Sequence, residues 1–285
     1  MPAIPRIPSR TFTLTTFGLA SALTLTSCSQ PQPQTQTQTP AAAVATTPLP
    51  TSADSVVVRM GEYLKTLKTF TLSPQISYDE VLPSGPKIQY LGSAVMTVRR
   101  PDRLRADISN DDGERSVYYD GKTLSVFGRT LNVFATVDAP PTLDEMFAKV
   151  LNEYDLGLPL VDILYQSVHG TLLDNVKDGM VVGRSRVNGV LCDHVAFHQD
   201  DVDWQLWVEA SATPLPRRIV ITTLGETGQP QYQANLKWDL SPTIADSMFV
   251  FVPAKDAMRI KLATLAAETA SAATTDKKAS EGSAP

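Results

Sequence analysis

The sequence predicts an α+β, mostly β fold: a wide, curved antiparallel sheet of about eleven strands with about three helices on its concave side. Three observations carry this prediction. From Phe70 onward the apolar residues recur with period two, one face dry and the other wet, as in antiparallel sheets covered on a single face. Turn-forming clusters punctuate the runs at Pro83-Ser84-Gly85-Pro86, Asn110-Asp111-Asp112-Gly113 and Asp120-Gly121. Helical spacing is confined to a few short stretches.

Ser52 and Asp54 are candidate N-caps for a first helix, in which Val56, Val57, Met60, Leu64 and Leu67 share a face opposite Arg59, Glu62, Lys65 and Lys68. In the first strand, Phe70, Leu72, Ile76 and Tyr78 alternate with Thr71, Ser73, Ser77 and Asp79. The second keeps Ile88, Tyr90, Gly92, Ala94, Met96 and Val98 in one phase, and the third sets Leu104, Ala106 and Ile108 between Arg103, Arg105 and Asp107. Two strands then meet at the Asp120-Gly121 hairpin, and Leu131, Val133, Ala135 and Val137 make another. After Pro140-Pro141, Thr142 caps a helix with Leu143, Met146, Phe147, Val150 and Leu151 on one side. A further helix has Pro159 near its start and Leu160, Ile163 and Leu164 as its stripe. The remaining strands run from Met180 to Val187, Leu191 to Gln199, Asp203 to Glu209, Leu215 to Thr223 and Gln231 to Asp239. In the last of them Tyr232, Ala234, Leu236 and Trp238 form the dry face.

The N-terminus precedes this fold. Arg6 and Arg10 supply a basic start, Phe12 to Leu25 a weakly apolar run, and Leu25-Thr26-Ser27-Cys28 a bacterial lipobox. The expected division is a signal peptide over 1–27, a Pro/Gln/Thr-rich tether over 28–52, one domain over 53–260 and a disordered tail over 261–285. Cys28 is then the lipidation site, carrying palmitate-type acyl chains that hold the protein on a membrane facing the periplasm. Ser29 beside it directs such a protein to the outer rather than the inner membrane under the enteric sorting rule.

Composition narrows the function. Of 285 residues, 42% are hydrophobic and 19% charged, enough apolar content for a sizeable core. The net charge of −5 falls by two, to −7, when Arg6 and Arg10 leave, which argues against a nucleic-acid partner. With Cys28 lipidated, Cys192 stands alone and no internal disulfide can form. The densest polar and aromatic stretch, Cys192 to Trp207, invites a metal site. On a strand, however, His194 and His198 lie about 13 Å apart, and the closer Cys192 and His194, about 6.6 Å apart, would need further ligands from other strands. No nucleophile elbow, zinc-protease motif, phosphate loop or dinucleotide fingerprint is present, and Asp144-Glu145 suits a helix N-terminus. The expectation is therefore no catalytic residue, no metal and no cofactor.

A sheet this wide, filled by short helices, leaves room for an apolar cavity. The candidates to line it are Tyr78, Tyr90, Ala94, Met96, Trp204, Leu206, Tyr232 and Trp238. Core packing is the competing expectation for Trp204 and Trp238.

Four segments carry a resemblance. Val98-Arg99-Arg100-Pro101-Asp102-Arg103-Leu104-Arg105 and Tyr119-Asp120-Gly121-Lys122-Thr123-Leu124 are joined by Gly157-Leu158-Pro159-Leu160 with Asp162-Ile163-Leu164. The fourth runs from Val202-Asp203-Trp204-Gln205-Leu206-Trp207 to Pro214-Leu215-Pro216-Arg217. Over Asp54 to Ile260 the chain resembles an uncharacterised family of predicted periplasmic proteins, within the superfamily of the lipoprotein carriers and receptors LolA and LolB. The resemblance implies an incomplete antiparallel barrel closed by helices over an apolar cavity. It further implies a non-catalytic carrier or sensor of a lipid or acylated ligand, with an envelope protein as a possible partner. The alternative is a structural or regulatory interaction module whose core is filled by its own side chains.

Overall fold

A computed structural model describes residues 48–111, 113–154, 160–165 and 172–262. The signal segment, Cys28, nearly all of the tether, Gly157 to Pro159 and residues 263–285 lie outside them. The described chain opens with helix α1 (Ala53–Thr66), then strands β1 (Thr69–Val81), β2 (Lys87–Arg99), β3 (Arg103–Asn110), β4 (Gly113–Tyr119), β5 (Thr123–Gly128) and β6 (Val133–Asp138). Helices α2 (Leu143–Glu153) and α3 (Val161–Leu164) precede β7 (Asp178–Val187), β8 (Val190–His198), β9 (Val202–Glu209), β10 (Pro216–Thr223) and β11 (Gln231–Asp239). A 3₁₀ turn at Asp246–Phe249 and strand β12 (Met258–Arg259) follow.

All twelve of these strands join one curved, unclosed sheet in the order β12-β6-β5-β4-β3-β2-β1-β11-β10-β9-β8-β7. Two antiparallel meanders, β1–β6 and β7–β11, are sewn together by the β1–β11 pair, which leaves β6 and β7 at the far ends of the meanders, with β12 outside β6. The eleven longer strands are those the alternation marks. The twelfth has only two residues, too few for a period to register, and it pairs with β6 in parallel. Leu131 falls outside β6: it is 76% exposed at a turn whose next residue, Asn132, takes the left-handed conformation.

Local chemistry explains the ends of the helices. Ser52, rather than Asp54, caps α1, its hydroxyl accepting from the Ser55 N–H at 3.2 Å, while Asp54 sits in the first turn where the helix dipole favours a carboxylate. The Thr142 hydroxyl accepts from the Glu145 N–H at 3.3 Å and donates to the Glu145 carboxylate at 2.8 Å. Helix α3 is a single turn, entered through Leu160 with φ of 57°.

The helices bury their apolar faces on one side of the sheet. Val56, Val57, Met60 and Leu64 of α1 join Met146, Phe147 and Val150 of α2, and Ile163 and Leu164 of α3, over Phe70, Leu72, Met96, Val98, Leu104 and Val117. Polar ties fix their positions. Asp193, 1% exposed, receives Arg59 of α1 at 2.9 Å and Arg184 of β7 at 2.8 Å. The Leu143 N–H donates to the Pro101 carbonyl, and the Arg100 Nη2 donates to the Leu164 carbonyl at 2.7 Å, holding the starts and ends of the α2–α3 segment.

Candidate functional site

The concave face is not completely filled. A partly open cavity of about 680 Å³ lies over it, roofed by Leu160, Asp162 and Ile163 at α3 and by Leu172. Its volume is within the range of small-molecule sites.

Cross-strand register determines which side chains reach it. At one end of the strands, Trp204, Ile221, Tyr232, Tyr78 and Tyr90 stand in one row across β9, β10, β11, β1 and β2. The next row inward is Leu206, Ile219, Ala234, Ile76, Gly92 and Asn110. One step further in, Ala94 pairs with Ile108 and Ile108 with Arg115. The row after that, Trp238, Leu72, Met96, Ala106 and Val117, lies under the helices.

The expected lining residues therefore separate. Tyr78, Trp204 and Tyr232 border the cavity. Met96 and Trp238 do not, because their row is already packed: Met96 is 1% exposed, and Trp238 lies against Phe70 at 5.4 Å with its indole N–H donating to the Pro216 carbonyl. Ala94 and Leu206, 2% and 0% exposed, are enclosed by neighbouring core side chains. Tyr90 instead stacks on Tyr78 at 5.6 Å, outside the lining. Trp204 serves both expectations, bordering the cavity while stacking on Phe197 at 4.1 Å.

Sequence reasoning missed Ile76, Gly92, Ile108, Ile219 and Ile221, because aromatic content guided the choice, whereas pairing register decides position. It also missed Arg115, although a signal was present: Arg115 shares the phase of Val117 and Tyr119, so a cation stands on the dry face of β4. The roof adds Asp162, an exposed carboxylate at the rim of the cavity. Burial raises the Tyr232 phenol above its ordinary value, and its hydroxyl is buried with no hydrogen-bond partner among the described residues.

The Cys192–Trp207 stretch is engaged in packing and hydrogen bonds. His194 stacks on Trp207 at 3.9 Å and bonds Gln205 at 3.0 Å, on the outer face of the sheet, and His198 meets Asp203 at 2.6 Å. Cys192 is fully buried, and burial pushes its thiol up to about 11, away from the reactive thiolate. Among the described residues no group of three His, Cys, Asp or Glu side chains is placed to hold a metal ion.

Comparison with known proteins adds the following. The model of a family described as predicted periplasmic protein (DUF2092) matches residues 53–263. No curated protein matches the chain. Among solved structures, the lipoprotein LppX of Mycobacterium tuberculosis is similar at 12% identity and TM-score 0.44, over 67% of this chain and 97% of that one. An uncharacterised conserved protein of Thermus thermophilus is similar at 12% identity and TM-score 0.43, over 73% and 98%. A LolA superfamily protein of Nitrosomonas europaea is similar at 11% identity and TM-score 0.35, over 71% and 99%.

Proposed function

The chain belongs to the DUF2092 family of predicted periplasmic proteins, and from that premise we propose that it binds a lipid or acylated ligand in its half-barrel, without chemical change, as a carrier or sensor. One observation carries this reading: the cavity of about 680 Å³, whose walls include Ile76, Trp204, Ile219, Ile221 and Leu160. Water gains little from such walls, while an acyl chain gains about 0.8 kcal/mol per buried methylene.

The test is ligand recovery. The chain from Ser29 to Pro285, secreted into a bacterial periplasm, is expected to co-purify with near-stoichiometric lipid, read by native mass spectrometry and organic extraction. Ile221→Trp, which places an indole in the lining, is expected to lose that lipid while keeping a cooperative thermal transition. An empty wild-type protein that takes up no fluorescent fatty acid would overturn the reading in favour of an envelope interaction module with a filled core.

The same proposal includes a membrane anchor at Cys28, supported by the lipobox and the tether behind it. Full-length protein is expected in the membrane fraction, and Cys28→Ala in the soluble fraction. Unchanged membrane association of the variant would remove the anchor, and separation of inner from outer membrane decides which one holds it.

A further inference from the structure

The cavity is chemically polarised along the sheet. Its lining crosses the seven strands from β9 to β4, roughly 29 Å along the sheet surface at about 4.8 Å per strand. The β9–β10 end is mainly apolar, with Val202, Trp204, Ile219 and Ile221 beside the amide of Gln199. The β3–β4 end presents Asn110 and Arg115 beside Ile108 instead. Between them Gly92 has no side chain, so β2 leaves the floor low and the two ends communicate.

Such a trough fits an elongated molecule with one apolar end and one polar end. The charge at the polar end selects the sign. Arg115 is the cation of the described lining, and Asp162 its other charged residue. Asp162 belongs to the roof, where its side chain is exposed to solvent, and that solvent screens its opposition to an anion. A guanidinium binds carboxylate and phosphate oxygens through paired N–H donors, a geometry that neutral glycerol or alcohol heads cannot use as well.

We propose that the cavity selects an acyl amphiphile with an acidic head group, a carboxylate or a phosphate, which Arg115 receives while the chain extends towards Trp204. This inference rests on the cavity reading above. It adds a direction of binding and a class of head group.

Three probes with one palmitoyl chain test it on the delipidated wild-type protein: palmitate, palmitoyl lysophosphatidate and uncharged monopalmitin. At least one acid is expected to bind about tenfold tighter than monopalmitin, the scale of a charge-assisted hydrogen bond. Which acid binds tighter distinguishes a free fatty acid from a phospholipid source. Arg115→Gln is expected to remove that preference, read as the ratio of acid to monopalmitin affinity in the same variant, and Arg115→Lys to retain part of it. The lysine variant keeps the test decisive should the glutamine variant fail to fold. Equal binding of acid and neutral probes by the wild type, or an acid preference that survives Arg115→Gln, overturns the head-group assignment and leaves the cavity reading standing. Failure of all three probes overturns both.

Discussion

At the scale of the residue, two tyrosines make a controlled pair. The Tyr119 hydroxyl donates to the Pro140 carbonyl at 2.5 Å, whereas the Tyr232 hydroxyl is buried without a partner among the described residues. A satisfied buried hydrogen bond contributes about 1 kcal/mol, while an unsatisfied hydroxyl costs about 1–3 kcal/mol of desolvation. Tyr119→Phe should therefore lower unfolding stability by about 1 kcal/mol. Tyr232→Phe keeps its ring in the row between Ile221 and Tyr78 and removes only the orphan group. It should leave the ligand-free protein equally stable or more stable by up to about 1 kcal/mol. Urea unfolding of both variants measures the contrast, and a loss of equal size in Tyr232→Phe would show that its hydroxyl is satisfied in solution.

At the scale of the element, the described secondary structure was largely legible because each part obeys a local rule. Strand β11 occupies Gln231–Asp239, where Tyr232, Ala234, Leu236 and Trp238 mark its dry phase. The Asp120-Gly121 turn follows equally local chemistry: the Asp120 carboxylate accepts from the N–H groups of Lys122 and Thr123 at 3.0 and 2.7 Å. Gly121 has φ of 82° there, a left-handed conformation that favours glycine, and the atom nearest an added Cβ, at 2.6 Å, is the movable end of Arg103, so the backbone conformation sets the requirement. The cavity lining was less legible for a physical reason. Alternation tells which face a residue takes, but not which row across the sheet, and the row separates Tyr232 at the cavity from Trp238 beneath the helices. Row assignment needs the β1–β11 pairing, a contact between residues more than 150 positions apart, and nothing local encodes it. Arg115 is the exception, since a charge in an apolar phase is visible within its own strand.

At the scale of the whole molecule, the segment after β11 decides how one edge of the open sheet is closed. An unpaired edge strand invites association with other chains. The β7 edge carries a bulge between Val181 and Gly183, which disturbs regular pairing. The β6 edge is covered differently. The C-terminal segment crosses the outer face, away from the helices, places Phe251 among Tyr118, Phe127 and Phe134 with ring centroids 5.2 to 5.7 Å apart, and then lays β12 along β6. Phe249 anchors the crossing: it is fully buried beneath Arg99, and Arg99 itself is held by Asp246 at 2.6 Å. No periodicity announced this strap, because its contacts are single side chains spaced along an irregular chain. Its energetic weight is nevertheless that of core, since truncating a buried phenylalanine costs about 3–5 kcal/mol. Phe249→Ala should lower the unfolding free energy by that amount and the thermal midpoint by roughly 10 °C, with freer self-association as the β6 edge becomes uncovered. Urea and thermal unfolding with size-exclusion chromatography measure all three effects. A loss under about 0.5 kcal/mol, the range of ordinary surface substitutions, would instead make the strap an appendage that leaves the sheet edge exposed without penalty.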